Sequence, residues 1–262
     1  MAGGRVSAGG DPKVSVRIIG RCNFRCPACS TFSGPNRPGF LSVSEFTRII
    51  DLLAENGFHG PLHISGGETT LHPGLEEMVA LASGRLQESP VAIFTNGDWV
   101  GEQGWGKRLK RLLAGPNALV RFSLDRPHAL GRAAALHGSI FKEAVGESEV
   151  ALFQKAHDFL DACLLEGARP GVNFDFAFKG TLADGEKYMA PLGRVPVYPI
   201  KYQTEPARRP KRLGFMAVDL DRFGRPLVYP TLGHIPAEEP LGGIEALPSA
   251  LEMNRRGLAG LD

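Results

Sequence analysis

Three of the four cysteines in this 262-residue chain fall in one short stretch, Cys22-Asn23-Phe24-Arg25-Cys26-Pro27-Ala28-Cys29, spaced C-x3-C-x2-C. Three thiolates on one loop suit three corners of a cubic iron–sulfur cluster and leave the fourth iron without a protein ligand. The same thiolates suit zinc if a fourth ligand joins them, since closed structural zinc takes four. His59, His63 and His72 are the candidates for that place. A disulfide framework fits poorly, because three clustered cysteines leave one over.

The elements that must hold this loop can be read from periodicity. Residues 13–20 alternate apolar and polar (Val14, Val16, Ile18 against Ser15, Arg17), which predicts a strand running into the first cysteine. Ser42-Val43-Ser44-Glu45 has the capping-box pattern, and Phe46, Ile49, Ile50 and Leu53 follow at helical spacing up to Gly57. The unit then repeats. Residues 61–65 form a second short strand ending in Gly66-Gly67-Glu68, and 91–94 a third ending in Thr95-Asn96-Gly97. Residues 118–125 form a fourth strand ending in Ser123-Leu124-Asp125. Helical stretches separate them, including a basic one over 107–113 and an apolar one over 150–165. Further strands are expected at 172–178 and 195–202. Alternating strands and helices with short links predict a parallel sheet with right-handed crossovers. Six such units fall short of a closed eight-stranded barrel. The expected architecture is therefore α/β, a partial (β/α)6 TIM-like barrel with a small C-terminal β-hairpin extension.

The combination resembles the radical S-adenosylmethionine (SAM) superfamily. The three-cysteine loop, the Gly-Gly-Glu turn, the Thr-Asn-Gly turn and the Ser-x-Asp element occur in that family's order, at successive strand ends, across residues 13–202. The resemblance implies a [4Fe–4S] cluster on Cys22, Cys26 and Cys29. It also implies SAM held by Gly66, Gly67 and Glu68, with Asn96, Ser123 and Asp125 nearby. The physical logic for the Gly-Gly-Glu turn is independent of the family: glycine permits close approach, and a carboxylate pairs with an ammonium group. Two positions depart from the pattern. Ala28 stands where an aromatic or bulky residue is common, so adenine stacking falls to Phe32 or is lost, and Thr69 replaces the usual proline.

The rest of the chain sets outer bounds. Residues 1–12 read as a disordered leader, 13–204 as the core and 205–262 as an extension. In that extension 215–220 and 227–229 flank an Asp221-Arg222-Phe223-Gly224-Arg225 turn. The hairpin looks like a SPASM or Twitch extension, yet it has no cysteines for an auxiliary cluster, and a lid or substrate floor is its expected role. A net charge of +2 offers no electrostatic case for nucleic acid or an anionic membrane. No apolar run approaches the ~18 residues of a membrane span. A reduced, cytoplasmic setting is expected.

The resemblance implies one-electron cleavage of SAM to a 5′-deoxyadenosyl radical that takes a hydrogen atom from substrate, with flavodoxin or ferredoxin as electron donor. Without cysteines for a second cluster to accept electrons, a redox-neutral epimerisation or rearrangement of a polar small molecule, sugar-like or otherwise a natural-product intermediate, is expected. A peptide substrate is the alternative. Epimerisation needs a hydrogen-atom donor, and Cys163 is the remaining thiol. It sits in an apolar helical stretch, where a free cysteine is ordinarily a small buried hydrophobe. A non-catalytic iron–sulfur carrier and a zinc-stabilised binding protein are the competing classes.

Overall fold

The structure is a computed structural model that describes residues 11–27, 29, 31–138, 141–165, 174–179, 215–221, 223–232, 235–236 and 240–259. The expected strand at 195–202 lies outside these residues.

Strand β1 (Lys13–Ile19) shows how the sequence pattern becomes a fold. Val14, Val16 and Ile18 are fully buried on one face, while Lys13, Ser15 and Arg17 lie half-buried on the other. Helix α1 (Val43–Glu55) begins with the predicted capping box: Ser42 Oγ accepts from Glu45 N at 3.2 Å, and Glu45 Oε2 accepts from Ser42 N at 2.8 Å. Phe46, Ile49, Ile50 and Leu53 are wholly buried, each stabilising the fold by about 1.5–3 kcal/mol on leaving water. The chain then returns as β2 (Leu62–Gly66), parallel to β1. The same alternation gives α2 (Leu75–Arg85), β3 (Val91–Thr95), α3 (Trp105–Leu112) and β4 (Ala118–Asp125). Helices α4 (Arg126–His137) and α5 (Lys142–Leu165) lead to β5 (Phe174–Lys179).

Helix α5 starts eight residues before the apolar run predicted it and passes through Gly146. A mid-helix glycine costs about 1 kcal/mol, and burial of Val145 and Leu152 on either side outweighs it.

With β6 (Phe215–Leu220), β7 (Pro226–Leu232) and β8 (Ile235–Pro236), the strands among the described residues form one sheet ordered β5-β4-β3-β2-β1-β6-β7-β8. The first six run parallel, as a partial barrel requires. Strand β6 is the first arm of the predicted hairpin and β7 the second, antiparallel to it. The two-residue strand β8 completes the edge. Strand β6 also pairs in parallel with β1, so the hairpin extends the barrel sheet at its β1 side. Helix α6 (Leu247–Ala259) buries Leu247, Ala250 and Leu251 in the same core cluster as the barrel strands. The extension expected from residue 205 therefore shares both sheet and core with residues 13–165.

Register assigns the two faces. Val14, Leu62, Val91 and Ala118 align in one row, and Val16, Ile64, Ile93 and Val120 in the next, all buried. The opposite, half-open face carries Ser15 beside His63, Arg17 beside Ser65 and Phe94 beside Arg121. On β4 and β5 the same face takes register positions 123 and 125 beside Ala177 and Lys179. This is the concave face of the partial barrel.

Candidate functional site

The cysteine loop leaves the C-terminal end of β1, the end at which parallel α/β barrels place their active sites. None of the four cysteines is in a disulfide. Cys22 and Cys26 are buried and Cys29 half-buried. The Cys22 sulfur accepts from Phe24 N at 3.4 Å, and the Cys29 sulfur accepts from Ser33 N at 3.2 Å. Burial, then the Glu68 carboxylate, push the Cys22 thiol up to about 12. Such a thiol ionises when a bound metal supplies the compensating positive charge.

Cys26 is seated by a residue that the sequence reading did not single out. Gly131 of α4 lies so close that a Cβ there would stand 2.4 Å from Cys26 Sγ and 2.7 Å from its backbone nitrogen. The Gly131 carbonyl also accepts from Arg25 N at 3.0 Å. The signal was a glycine inside an otherwise alanine- and leucine-rich helical run.

The Gly-Gly-Glu turn has a structural duty. Gly67 N donates to Ile19 O at 2.7 Å and Glu68 N to Arg21 O at 3.0 Å, so the turn lies directly against the stem of the cysteine loop. A Cβ on Gly67 would come within 2.0 Å of the Arg21 carbonyl oxygen. The glycines thus let two stretches of the protein's own backbone meet.

Glu68 is 2% exposed, and its carboxylate accepts four hydrogen bonds. Thr70 N (3.1 Å), Thr70 Oγ1 (2.6 Å) and Thr95 Oγ1 (2.7 Å) reach Oε1, and Asn96 N (2.7 Å) reaches Oε2. Burial raises its pKa and these donors oppose the rise. Glu68 therefore ties the end of β2 to the end of β3. Gly97, at φ +75°, completes the turn: any Cβ would overlap the Phe122 ring, 1.6 Å from Cζ.

The hairpin bears on the same loop. Arg17 of β1 pairs with Asp219 of β6. Arg37 donates to Thr31 O at 2.5 Å and to Leu220 O at 3.3 Å. Gly39 and Gly224 face each other so closely that a Cβ on Gly39 would lie 2.8 Å from the Gly224 Cα. Thr31 Oγ1 in turn is 3.3 Å from Cys29 Sγ. The hairpin thus braces the segment after the cysteines. The Arg17–Asp219 and Arg37–Leu220 contacts join residues some 200 positions apart, a pairing that local sequence patterns do not announce.

The histidines proposed as a fourth zinc ligand are placed elsewhere. His72 Nε2 bonds the Leu41 carbonyl at 2.8 Å and its Nδ1 accepts from Gly74 N at 3.0 Å. His59 precedes β2, at the opposite end of the sheet from the cysteines, and pairs with Glu88. His63 lies within β2, its ring 4.7 Å from that of Phe94. Among the described residues no three His, Cys, Asp or Glu side chains form a grouping for a single metal ion.

Cys163 is a correction. It is fully buried in α5 on the stripe of Leu152, Ala156 and Phe159. Phe159 packs on Phe122, whose register places it on the helix-covered face. Burial pushes the Cys163 thiol up to about 12. Helical spacing aims it at the hydrophobic core, so the expected hydrogen-donor role at the concave face does not stand. Asn96 and Ser123 are described at the C-terminal ends of β3 and β4, and Asp125 takes the last position of β4.

Residues 16–138 match the model of the Radical SAM superfamily. The chain carries a radical SAM domain. Such a domain works with an iron–sulfur cluster and SAM. Over 84 residues the chain is 34% identical to GTP 3′,8-cyclase of Chlorobaculum tepidum, covering 32% of this chain and 25% of that protein. Over 83 residues it is 34% identical to the antilisterial bacteriocin subtilosin biosynthesis protein AlbA of Bacillus subtilis (strain 168), covering 32% and 18%. The matches thus span a quarter or less of these two curated relatives. A crystal structure of BtrN in an open conformation aligns over 95% of this chain and 86% of that one, at 14% identity and a TM-score of 0.48. Among the described residues no helix is long and apolar enough to cross a membrane.

Three thiols on one loop are the donor set that a cluster of this kind takes. Gly131 leaves room at Cys26, and backbone N–H groups already point at two of the three sulfurs.

Proposed function

We propose that Cys22, Cys26 and Cys29 hold a [4Fe–4S] cluster with SAM on its open iron, and that the domain takes a hydrogen atom from a polar small molecule. When bound, the cluster and SAM together supply a reducing electron and a 5′-deoxyadenosyl radical. The chain's own part is to orient and to exclude water. Gly66 and Gly67 set the cysteine loop against β2. Ser123 and the register position of Asp125 face the mouth of the barrel, where ribose hydroxyls would be met. Phe32 stands 49% exposed three residues after Cys29 with φ +51°, a conformation that costs a non-glycine residue about 1–3 kcal/mol. We assign it the adenine-stacking role that Ala28 cannot fill.

The concave face carries the substrate reading. Ser15, Arg17, His63, Ser65, Arg121 and Ser123 all lie half-buried on it, a lining of hydrogen-bonding groups in which the Arg17 charge is already paired with Asp219. That chemistry suits a hydroxylated small molecule. With Cys163 on the other face, a cysteine-mediated epimerisation loses its donor, and a redox-neutral rearrangement or elimination is the reaction we favour. A peptide substrate is the second reading, favoured by the likeness to AlbA.

Substrate class is tested by incubating anaerobically reconstituted protein with SAM, flavodoxin and either small polar metabolites or a peptide pool. Faster release of 5′-deoxyadenosine with the metabolites alone supports the reading. Acceleration by peptides alone overturns it.

A further inference from the structure

The Thr-Asn-Gly turn points its asparagine at the cysteine loop. Asn96 Nδ2 donates to Asn23 Oδ1 at 2.8 Å, Asn23 Nδ2 donates to Asp98 Oδ2 at 2.9 Å, and Asp98 N donates to Asn96 Oδ1 at 3.0 Å. This closed ring fixes both amide orientations by elementary chemistry. An ionised carboxylate only accepts, so Asn23 must turn its amide hydrogens to Asp98 and its oxygen to Asn96. Asn96 must then present its own amide hydrogens to Asn23. One of them is used there. The other reaches the sulfur of Cys22, with Nδ2 at 3.9 Å from Sγ.

The ring is fastened on every side. Asn96 is buried, and its backbone N–H is held by Glu68 at 2.7 Å. Asp98 takes an ion pair from Arg132 of α4 at 3.1 Å, and its carbonyl accepts from Lys155 of α5 at 2.6 Å. Both amide hydrogens and the amide oxygen of Asn96 are therefore engaged within the protein. This leaves the side chain committed to Cys22 rather than to SAM.

We propose that Asn96 is a positioning residue for Cys22 that sets the reduction potential of the cluster through an N–H···S hydrogen bond, with Asn23, Asp98 and Arg132 holding its amide in place. The proposal rests on the reading that Cys22 is a cluster ligand. Hydrogen bonds to ligand sulfurs are one of the levers on iron–sulfur potentials, and partners behind the ligands orient them. An N–H aimed at the sulfur stabilises the more negative, reduced state. Removing it makes the cluster harder to reduce.

The test compares full-length wild type, Asn96→Ala and Asp98→Asn, each reconstituted anaerobically. Three quantities are read without turnover: iron and sulfide per chain, midpoint potential by EPR-monitored redox titration, and SAM affinity by calorimetry. The expected result is a more negative potential in Asn96→Ala, with SAM affinity within about twofold of wild type. Asp98→Asn, which lets both amides of the ring turn over, shifts the potential the same way. An unchanged potential together with a fall in SAM affinity of about tenfold or more overturns the proposal and returns Asn96 to the SAM site. If Asn96→Ala fails to retain iron, Asp98→Asn decides by the same readings. Wild-type protein that takes up no iron refutes the cluster reading itself, a result distinct from either.

Discussion

His63 offers the sharpest electrostatic prediction. It lies half-buried on the concave face, its ring against Phe94, with Lys13 and Arg121 close enough to repel a second positive charge. Burial, then Lys13, then Arg121, lower its pKa from 6.5 to about 3. The folded protein thus holds His63 neutral while the unfolded chain protonates it near 6.5. Stability from this site is complete above pH 6.5 and is lost as the pH falls through the window from 6.5 to 3. Each unit is worth about 1.4 kcal/mol, so the loss reaches about 2 kcal/mol at pH 5 and approaches about 5 kcal/mol near pH 3. His63→Gln cannot acquire the charge and lacks this loss. Urea unfolding of both proteins at pH 7 and pH 5, followed by tryptophan fluorescence, measures the difference. Wild type should lose about 2 kcal/mol more than the variant between the two pH values. Parallel losses, or a His63 ring resonance titrating near pH 6.5, would refute the reasoning.

Two further outcomes follow from packing. Gly131→Ala drives a methyl group into Cys26, which should cost about 1–3 kcal/mol of stability and reduce the iron retained on reconstitution, measured colorimetrically per chain. Full iron loading in that variant would show that α4 does not seat the loop. Cys163→Ala should leave SAM cleavage and product formation at wild-type rates while destabilising the fold by about 1 kcal/mol through a small cavity, as seen in the urea midpoint. Loss of product with the fold intact would restore the thiol to the active site.

The sequence made the local units legible because each rests on near-neighbour chemistry. The Ser42–Glu45 capping box, the alternation of Val14, Val16 and Ile18, and the turn at Asp221–Arg225 all involve residues a few positions apart. The burial of Cys163 was legible too, since its spacing from Phe159, Ala156 and Leu152 follows one helical stripe. Pairings across the chain were not. Nothing in residues 215–220 announces that they run parallel to β1, and nothing in Arg17 names Asp219 as its partner. The motifs stand at successive strand ends, and some of their residues also make internal contacts that the motifs alone do not announce. Gly67 and Glu68 look outward in sequence as a ligand turn, yet Gly67 meets the Arg21 carbonyl and Glu68 collects four internal donors. Asn96 likewise faces Asn23 and Cys22, a contact spanning more than 70 residues.

The central claim is that the three-cysteine loop supports reductive cleavage of SAM. Its most direct test is anaerobic incubation of the reconstituted protein with SAM, dithionite and a polar metabolite pool, with mass spectrometry for 5′-deoxyadenosine. Wild type should form 5′-deoxyadenosine and Cys26→Ala should form none. Iron-loaded, SAM-binding wild type that yields no 5′-deoxyadenosine, or a Cys26→Ala variant that yields as much, would contradict the account.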